Sequence, residues 1–220
     1  MRKWFPVIVG ASILATSLTA GVLTQGRIQG KTLSTWLTSY WSWALGASNS
    51  NHSGNVVFMP LPEGEFDADT GLFVGHLNIQ LKRNEHFFLP IFGFTGETYV
   101  DDLAPPDDPS SFADMFFTDP DSVTVLVKLD GNVIIDSEVD DLNDFFVPGT
   151  YFKNPIPYET AIYRFTNEDG VEVFAEAAIW VKGISFVHTP LSRGQHTLEL
   201  YVYQHDFGFG FSNTWTITVK

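Results

Sequence analysis

Apolar residues recur along this chain at two different spacings. Between Lys31 and Leu45 they recur every three to four residues, the stripe of an amphipathic helix that packs on a core. Gly46 follows where a C-terminal cap belongs. We predict a packing helix over residues 31–46. Its tryptophans could instead form a platform for sugar stacking or for a membrane surface. We favour packing because only Trp43 among them clearly lies outside the apolar stripe. The stripe comprises Leu33, Trp36, Leu37, Tyr40, Trp41 and Ala44.

Beyond the helix the apolar period becomes two, as in a β-strand with one wet face. The alternation is clearest from Leu72 to Lys82. Asp130-Gly131, between two apolar runs, predicts a two-residue hairpin. Pro90, inside an aromatic run, predicts an edge strand or a bulge. Strands are predicted at 55–59, 72–82, 86–94, 122–129, 132–137, 171–181, 184–188, 196–204 and 214–219.

The fold class predicted from this pattern is all-β. We expect an antiparallel β-sandwich over residues 54–220, preceded by the one amphipathic helix. A Pro-rich, acidic stretch at residues 101–121 interrupts the strands, and loops of such length are often functional. We interpret it as the connection at which two halves of the sandwich meet.

Three short motifs carry a resemblance to known proteins. The segment from Pro190 to Leu198 and the closing strand Thr214–Val219 resemble the end of a bacterial immunoglobulin-like domain. This resemblance implies an immunoglobulin-like C-terminal half. Most of residues 36–220 are also similar to a group of uncharacterised secreted bacterial proteins. This similarity implies that the protein is exported and shares their architecture, but it does not indicate an activity. The shared motifs are Trp41-Ser42-Trp43, Phe87-Phe88-Leu89-Pro90-Ile91 and Pro190-Leu191-Ser192-Arg193-Gly194-Gln195-His196.

The N-terminus has the layout of a secretory signal peptide. Two basic residues precede an apolar run from Trp4 to about Leu18, and small residues follow it. We predict a signal peptide over residues 1–21, cut after Ala20 or after Gly21. The alternative is an uncleaved membrane anchor. We therefore expect a secreted or periplasmic protein that contacts a membrane only through an uncleaved N-terminal segment.

Charge and cysteine content exclude several classes of function. The chain has 220 residues, no cysteine and a net charge of −14, so thiol catalysis and Cys-ligated metals are excluded. Nucleic acid is an improbable partner because phosphate binding needs a basic surface. The charge is uneven: 19 of the 26 acidic residues, but only three basic ones, lie between Glu63 and Asp144.

One acidic run within this stretch is a candidate calcium site. Glu65, Asp67 and Asp69 alternate with other residues and precede Gly71, as oxygens do at the start of a calcium-binding loop. The third ligand and the distal Glu of an EF-hand are missing. The alternative is a solvated acidic loop that keeps the protein soluble.

Two histidines form a second candidate metal or acid–base site. His76 lies on the wet face of one predicted strand, and His86 begins the next strand after a short turn. We expect the two side chains to be cross-strand neighbours, with Glu85 or Glu97 close by. The alternative is a pair of surface histidines without a ligand. His196 shares the face of Leu198, which predicts a buried histidine bonded to the backbone.

Two functions are compatible with these features. The first is an exported, non-enzymatic binding module for an extracellular protein or glycan, stabilised by calcium. The alternative is a secreted glycan hydrolase that uses carboxylates of the acidic region. The sequence has no G-x-S-x-G, no H-E-x-x-H and no Gly-rich nucleotide loop, which favours the binding module and leaves no residue assigned as catalytic.

Overall fold

The computed structural model describes residues 21–46, 48–99, 122–151 and 176–220, together with 156–157, 165–166, 170 and 172–173. The predicted signal peptide before Gly21 and the predicted connection at 101–121 lie outside these residues. No helix among the described residues is long and apolar enough to cross a membrane.

Most of the described chain is β-strand, with a single α-helix and one 3-10 helix at Leu142–Phe145. The helix, α1, spans Leu33–Ala44. The first eight strands are β1 (Val22–Leu23), β2 (His52–Ser53), β3 (Val56–Phe58), β4 (Gly64–Asp67), β5 (Leu72–Leu81), β6 (His86–Tyr99), β7 (Val123–Leu129) and β8 (Asn132–Asp136). The others are β9 (Phe146–Tyr151), β10 (Ile156–Pro157), β11 (Phe165–Thr166), β12 (Glu172–Val173), β13 (Glu176–His188), β14 (Gly194–Gln204) and β15 (Phe209–Val219).

The strands form two packed sheets, which confirms the predicted all-β sandwich with one helix. Sheet 1 has the order β1-β13-β6-β3-β2, with β9 and β10 also paired to β13. Sheet 2 has the order β4-β5-β15-β14-β7-β8. The sandwich is not purely antiparallel, because β3 runs parallel to β6 and β5 runs parallel to β15. Strands β11 and β12 form a separate pair.

Helix α1 covers the outer face of sheet 1, as its apolar stripe predicts. The side chain of Thr32 caps its start by accepting a hydrogen bond from the Thr35 N–H at 3.2 Å. Gly46, with φ of +77°, takes the left-handed conformation that ends a helix. Its stripe packs on one face of sheet 1, and the sandwich core fills the other. Sheet 1 is therefore apolar on both faces, and Val56–Phe58 and Phe87–Ile91 are buried without alternation.

Strands β5 and β6 belong to different sheets, so the hairpin that we predicted between them is wrong. Strand β5 pairs with β4 and β15, whereas β6 pairs with β13 and β3. Their sequence patterns explain the separation. Strand β5 alternates because one of its faces is wet, whereas β6 is continuously apolar over Phe87–Ile91, where both of its faces are covered. The Glu85 carboxylate accepts a 2.7 Å hydrogen bond from the Lys82 N–H and so fixes the turn between the two strands.

Strands from both sides of residues 101–121, where we predict that two halves of the sandwich meet, share each sheet. Strand β6 lies beside β13, and β5 lies beside β15, so each sheet combines strands from both sides of residues 101–121. Strands β1 and β2, which precede residue 54, are part of sheet 1 as well. One sandwich core results, built from both parts of the chain.

Pro90 lies at a bulge, as predicted, but within a central strand. The register of β6 against β13 shifts between Ile184 and Ser185, opposite Phe92 and Pro90 respectively. On its other side β6 pairs with β3 only as far as Phe88. The proline therefore lies just beyond the end of the neighbouring strand. No hydrogen bond of the β-ladder is lost there, although proline has no N–H to donate.

Burial of sheet 1 on both faces predicts unequal effects for two phenylalanines. Phe88 is fully buried, with its ring 5.6 Å from that of Tyr40 on α1 and 6.2 Å from that of Phe58. Phe88→Ala should lower the free energy of unfolding by about 3–5 kcal/mol because it leaves a cavity between helix and sheet. The matched control is Phe66→Ala at an exposed position, with an expected change of about 0.5 kcal/mol or less. Urea denaturation measures both, and comparable losses would contradict this layering.

Candidate functional site

An open apolar cleft lies where the two sheets part at one end of the sandwich. It has a volume of about 330 Å³. Side chains of both sheets, of α1 and of the connection between β3 and β4 form its walls. We call it the phenylalanine cleft, and its lining residues are Trp41, Leu61, Pro62, Gly64, Phe73, Pro90, Ile91, Phe92, Gly93, Phe211 and Asn213.

The cleft exists because sheet 2 extends further at this end than sheet 1. Strand β3 stops at Phe58, whereas sheet 2 continues outward through β5 to β4. The inner face of sheet 2 therefore lacks an opposing strand here. Phe211 on β15 closes the base by stacking on Phe92 of β6, with ring centroids 6.4 Å apart. The indole N–H of Trp215 donates to the Pro60 carbonyl at 2.7 Å and holds the β3–β4 connection along one side.

Exposed apolar side chains concentrate at the same end of sheet 2. Strand register pairs Phe66 with Phe73, and their rings are 4.9 Å apart. The β14–β15 turn lies beside the β4–β5 turn, because the Gly210 N–H donates to the Gly71 carbonyl at 3.0 Å. Exposed apolar patches of this kind often mark interaction sites on proteins. Eight large apolar side chains of the described residues are exposed, and six lie at this end of sheet 2, 39–55% exposed: Leu61, Phe66, Phe73, Phe207, Phe209 and, on the opposite face of β5 from Phe73, Val74.

Two side chains bring polar groups to the cleft wall. Asn213 is only 6% exposed and lines the cleft with the residues around it. The indole N–H of Trp41 is buried and has no hydrogen-bond partner among the described residues. Buried polar groups are nearly always bonded, and an unbonded one costs about 1–3 kcal/mol. The cleft thus presents a donor and an amide that a ligand could satisfy.

A glycine shapes the floor of the cleft next to Asn213. A Cβ atom at Gly75 would lie 2.7 Å from the Pro62 Cβ and 3.0 Å from the Asn213 Oδ1. Only glycine lets the β3–β4 connection approach β5 this closely. Pro62 and Asn213 therefore both lie close to the bare backbone of Gly75.

His196, Asp130 and Ser192 come together in an arrangement that superficially resembles a catalytic triad. The His196 Nδ1–H donates to Asp130 Oδ2 at 2.7 Å, and Ser192 Oγ lies 3.4 Å from His196 Nε2. However, the same Nε2 is 2.9 Å from the Ser192 carbonyl, which can only accept. Both ring nitrogens are therefore donors, and a doubly protonated imidazole cannot take a proton from a serine.

This cluster instead ties the β13–β14 connection to the β7–β8 hairpin. Asp130 and Gly131 both have positive φ, as the predicted hairpin turn requires, and Asp130 Oδ1 accepts from the Thr197 N–H at 2.9 Å. The predicted backbone bond of His196 is confirmed by its contact with the Ser192 carbonyl. The motif Pro190–Leu198 is thereby explained as a structural clamp.

The clamp shifts the pKa values of both ionisable partners. Partial burial alone would lower the pKa of His196, but its hydrogen bonds to Asp130 and Ser192 and the Asp130 charge outweigh it and raise that pKa above the ordinary 6.5. Burial alone would raise the pKa of Asp130, but its bonds from His196 and Thr197 hold it below the ordinary 3.8. The pair is therefore an ion pair over the mildly acidic range.

The clamp predicts a pH-dependent stability difference between the protein and a His196→Gln variant. The contribution of His196 is present below pH 6.5 and is lost as the pH rises through its raised folded-state pKa. The contribution of Asp130 is present above pH 3.8 and is lost as the pH falls through its lowered folded-state pKa.

Urea denaturation of both proteins should therefore give a difference that is largest between about pH 4 and 6.5 and shrinks toward pH 8. We expect about 1 kcal/mol or less, because solvent screens this partly exposed pair. A difference that is constant from pH 5 to pH 8 would show that the imidazolium charge does not matter.

The candidate calcium residues lie on the β4–β5 hairpin, where Asp67 serves the turn. Its Oδ1 accepts from the Asp69 N–H and its Oδ2 from the Thr70 hydroxyl, each at 2.9 Å. Both bonds lower the pKa of Asp67, with the Thr70 bond the larger cause. Glu65 is exposed on β4, and no group of three or more His, Asp or Glu that could hold a metal occurs among the described residues. The hairpin gives the calcium hypothesis no support.

His76 and His86 are not neighbours, and the prediction that they face each other across two strands is wrong. His76 lies on sheet 2, on the wet face as predicted, with Nε2 3.3 Å from the Thr216 hydroxyl. His86 lies on sheet 1, where its Nε2 accepts from the Gln29 amide at 2.9 Å. Burial lowers its pKa. The separation follows from the assignment of β5 and β6 to different sheets.

Glu85 and Glu97, the carboxylates expected beside these histidines, do not complete a site. Glu85 is buried, and its Oε1 lies 3.3 Å from the Lys82 ammonium and 3.7 Å from His52 Nε2. The side chain of Glu97 lies outside the described residues. Glu85 is therefore part of a turn and not of a catalytic pair.

Sequence reasoning missed Asn213, although its position carries a signal. It occupies the apolar register of β15, whose inward residues are otherwise apolar. A single amide in such a register is the anomaly that points to a site. Trp41, which we placed on the packing stripe of the helix, is only partly buried and contributes to the cleft. The inward-facing residues of β15 within the sandwich are Phe211, Asn213, Trp215, Ile217 and Val219.

Comparison with known proteins does not assign a family. No family model matches the chain, and no curated protein matches it. Among solved structures, one chain of "Structure of PbICP-C in complex with falcipain-2" is similar over 76% of this chain and 100% of that chain, at 8% identity and a TM-score of 0.27. Similarity at this level bears on neither ligand nor activity.

Proposed function

We propose that the protein is an exported, non-enzymatic binding module whose ligand site is the phenylalanine cleft. The observation that carries this proposal is Trp41, whose buried indole N–H has no hydrogen-bond partner among the described residues and which forms part of the wall of an open apolar cavity. A fold tolerates such a group where a ligand satisfies it, because binding sites consist of apolar walls with a few placed polar groups.

The size and composition of the cleft agree with binding. Its volume of about 330 Å³ lies at the lower end of the range for ligand sites, which is roughly 300–1,000 Å³. Its walls are aromatic, aliphatic and proline side chains. No Asp, Glu or His lines it among the described residues, so the acid–base groups of a hydrolase are missing from this cavity.

The first test is whether an apolar probe binds in the cleft. We expect Nile red, a neutral apolar fluorophore, to bind the protein with saturation. The double variant Leu61→Ser, Phe73→Ser should weaken binding by roughly tenfold or more, because each lost side chain removes about 1.5–3 kcal/mol of apolar burial when fully engaged. Fluorescence titration measures the affinity.

The matched control is the double variant Val133→Ser, Val139→Ser. These are the two exposed apolar side chains of the described residues that lie outside the patch, at β8 and beyond its end. This control should bind Nile red as the unaltered protein does. Equal loss in both double variants, or no saturable binding at all, would contradict a site in the cleft.

The second test asks whether the Asn213 amide stabilises the fold or is available for ligand binding. Because Asn213 is almost fully buried in an apolar register of β15, Asn213→Leu should raise the free energy of unfolding by about 1 kcal/mol, since it removes an amide from apolar surroundings. Urea denaturation measures the change, and Asn78→Leu on the wet face of β5 serves as the control with little expected effect. A destabilised Asn213→Leu protein would mean that the amide supports the fold.

A further inference from the structure

We infer that the ligand of the phenylalanine cleft is a polypeptide segment in which a bulky apolar side chain is flanked by lysine or arginine. This inference rests on the proposed function and names the class of ligand. The apolar side chain would enter the cleft, the basic residues would meet acids at its rim, and the main chain would run along β4.

Acidic side chains border the cleft and its aromatic patch. Glu63 lies between two lining residues, Pro62 and Gly64. Glu65 follows on β4, on the face opposite that of Phe66, which is also the face to which an added strand would direct the residues that flank its inserted side chain. Asp206 precedes Phe207 in the neighbouring β14–β15 turn. All three acids are exposed, and none forms a salt bridge with a lysine or arginine of the described chain. An apolar cavity with uncompensated negative charge at its rim selects a ligand that is apolar at its centre and positive on its flanks.

The free edge of β4 favours a polypeptide over other cationic ligands. Strand β4 ends sheet 2 and pairs only with β5 among the described strands. The Asp67 carbonyl accepts from the Gly71 N–H inside the hairpin, so strand alternation directs the main-chain groups of Phe66 to the open edge. Such groups accept an added strand, while a pocket beside them takes one side chain.

The same features disfavour a glycan and a second copy of the chain. A sugar needs many polar contacts, and the described side chains that line the cleft bring few polar groups to it, chiefly the Asn213 amide and the Trp41 N–H. Self-association through the patch would bring together two chains that each carry a net charge of −14, most of it in the stretch that includes β4. A basic partner is attracted by the charge that repels a second copy.

The test uses three nine-residue peptides with the same Phe-Leu centre and with lysine, serine or glutamate flanks. Each is titrated into the full chain and followed by tryptophan fluorescence and by competition with Nile red. We expect the lysine peptide to bind at least about tenfold more tightly than the serine peptide at low salt, and the glutamate peptide to bind most weakly. The difference in affinity between the lysine and serine peptides should shrink in 0.5 M salt, where the Debye length is only about 4 Å.

A pair of charge variants locates the effect. Glu63→Gln with Glu65→Gln should abolish the preference for lysine flanks and leave the serine peptide unaffected. The control, Glu138→Gln with Asp144→Asn, removes the same charge beyond β8, at the opposite edge of sheet 2, and should keep the preference. If both variants lose the preference for lysine flanks, Glu63 and Glu65 are not its cause and the inference is overturned.

The outcomes distinguish this inference from the proposed function. If all three peptides compete with Nile red equally, the basic ligand is wrong while the cleft remains a binding site. If neither Nile red nor any peptide binds, both are wrong. If sedimentation shows a dimer that Phe73→Ser disrupts, the ligand is a second copy and the inference is overturned.

Discussion

The structure depends on the burial of one sheet from both sides. Sheet 1 packs its inner face against sheet 2, with Trp215 in that core, and its outer face against α1, with Trp36 and Tyr40 over Phe58 and Phe88. A strand covered on both faces cannot contain polar side chains without partners, which explains the unbroken apolar run of β6. The aromatic content of the chain is explained in the same way, because two layers of interface must be filled around one sheet.

Coverage on both faces also determines where the cleft opens. Helix α1 and the short strand β3 protect only part of sheet 1, so β6 continues past Phe88 beyond its neighbour. At that point Pro90 offers no N–H to a competing strand, and a bulge turns β6 along the cavity. Sheet 2 meanwhile continues through β5 and β4, carrying Phe66 and Phe73 beyond the coverage of sheet 1. The cavity is thus a consequence of the unequal widths of the two sheets.

Sequence patterns predicted the local structure well and the pairing of strands poorly. The helix and its glycine cap, the Asp130-Gly131 hairpin and the bulge at Pro90 each follow from the chemistry of a few adjacent residues. The positions of His76 and His86 do not, because they depend on which sheet each strand joins. The contrast between the alternating β5 and the continuously apolar Phe87–Ile91 of β6 did contain that information, since adjacent strands of one sheet have the same faces covered and so share one pattern of burial. Asn213 could have been recognised by its place in an apolar register, but its position on the wall of an open cleft follows only from the packing of the two sheets.

The acidic charge and the exposed aromatic patch are best understood together. A patch of phenylalanines beside a free strand edge is the kind of surface through which chains aggregate. Negative charge on the same hairpin, from Glu65 and Asp67, opposes the approach of another copy without covering the apolar groups. It also leaves Phe66 and Phe73 accessible, which burial behind a helix would not. A surface that must stay both soluble and apolar can therefore discriminate between partners by their charge. An acidic rim around the cleft repels negatively charged chains and attracts basic ones.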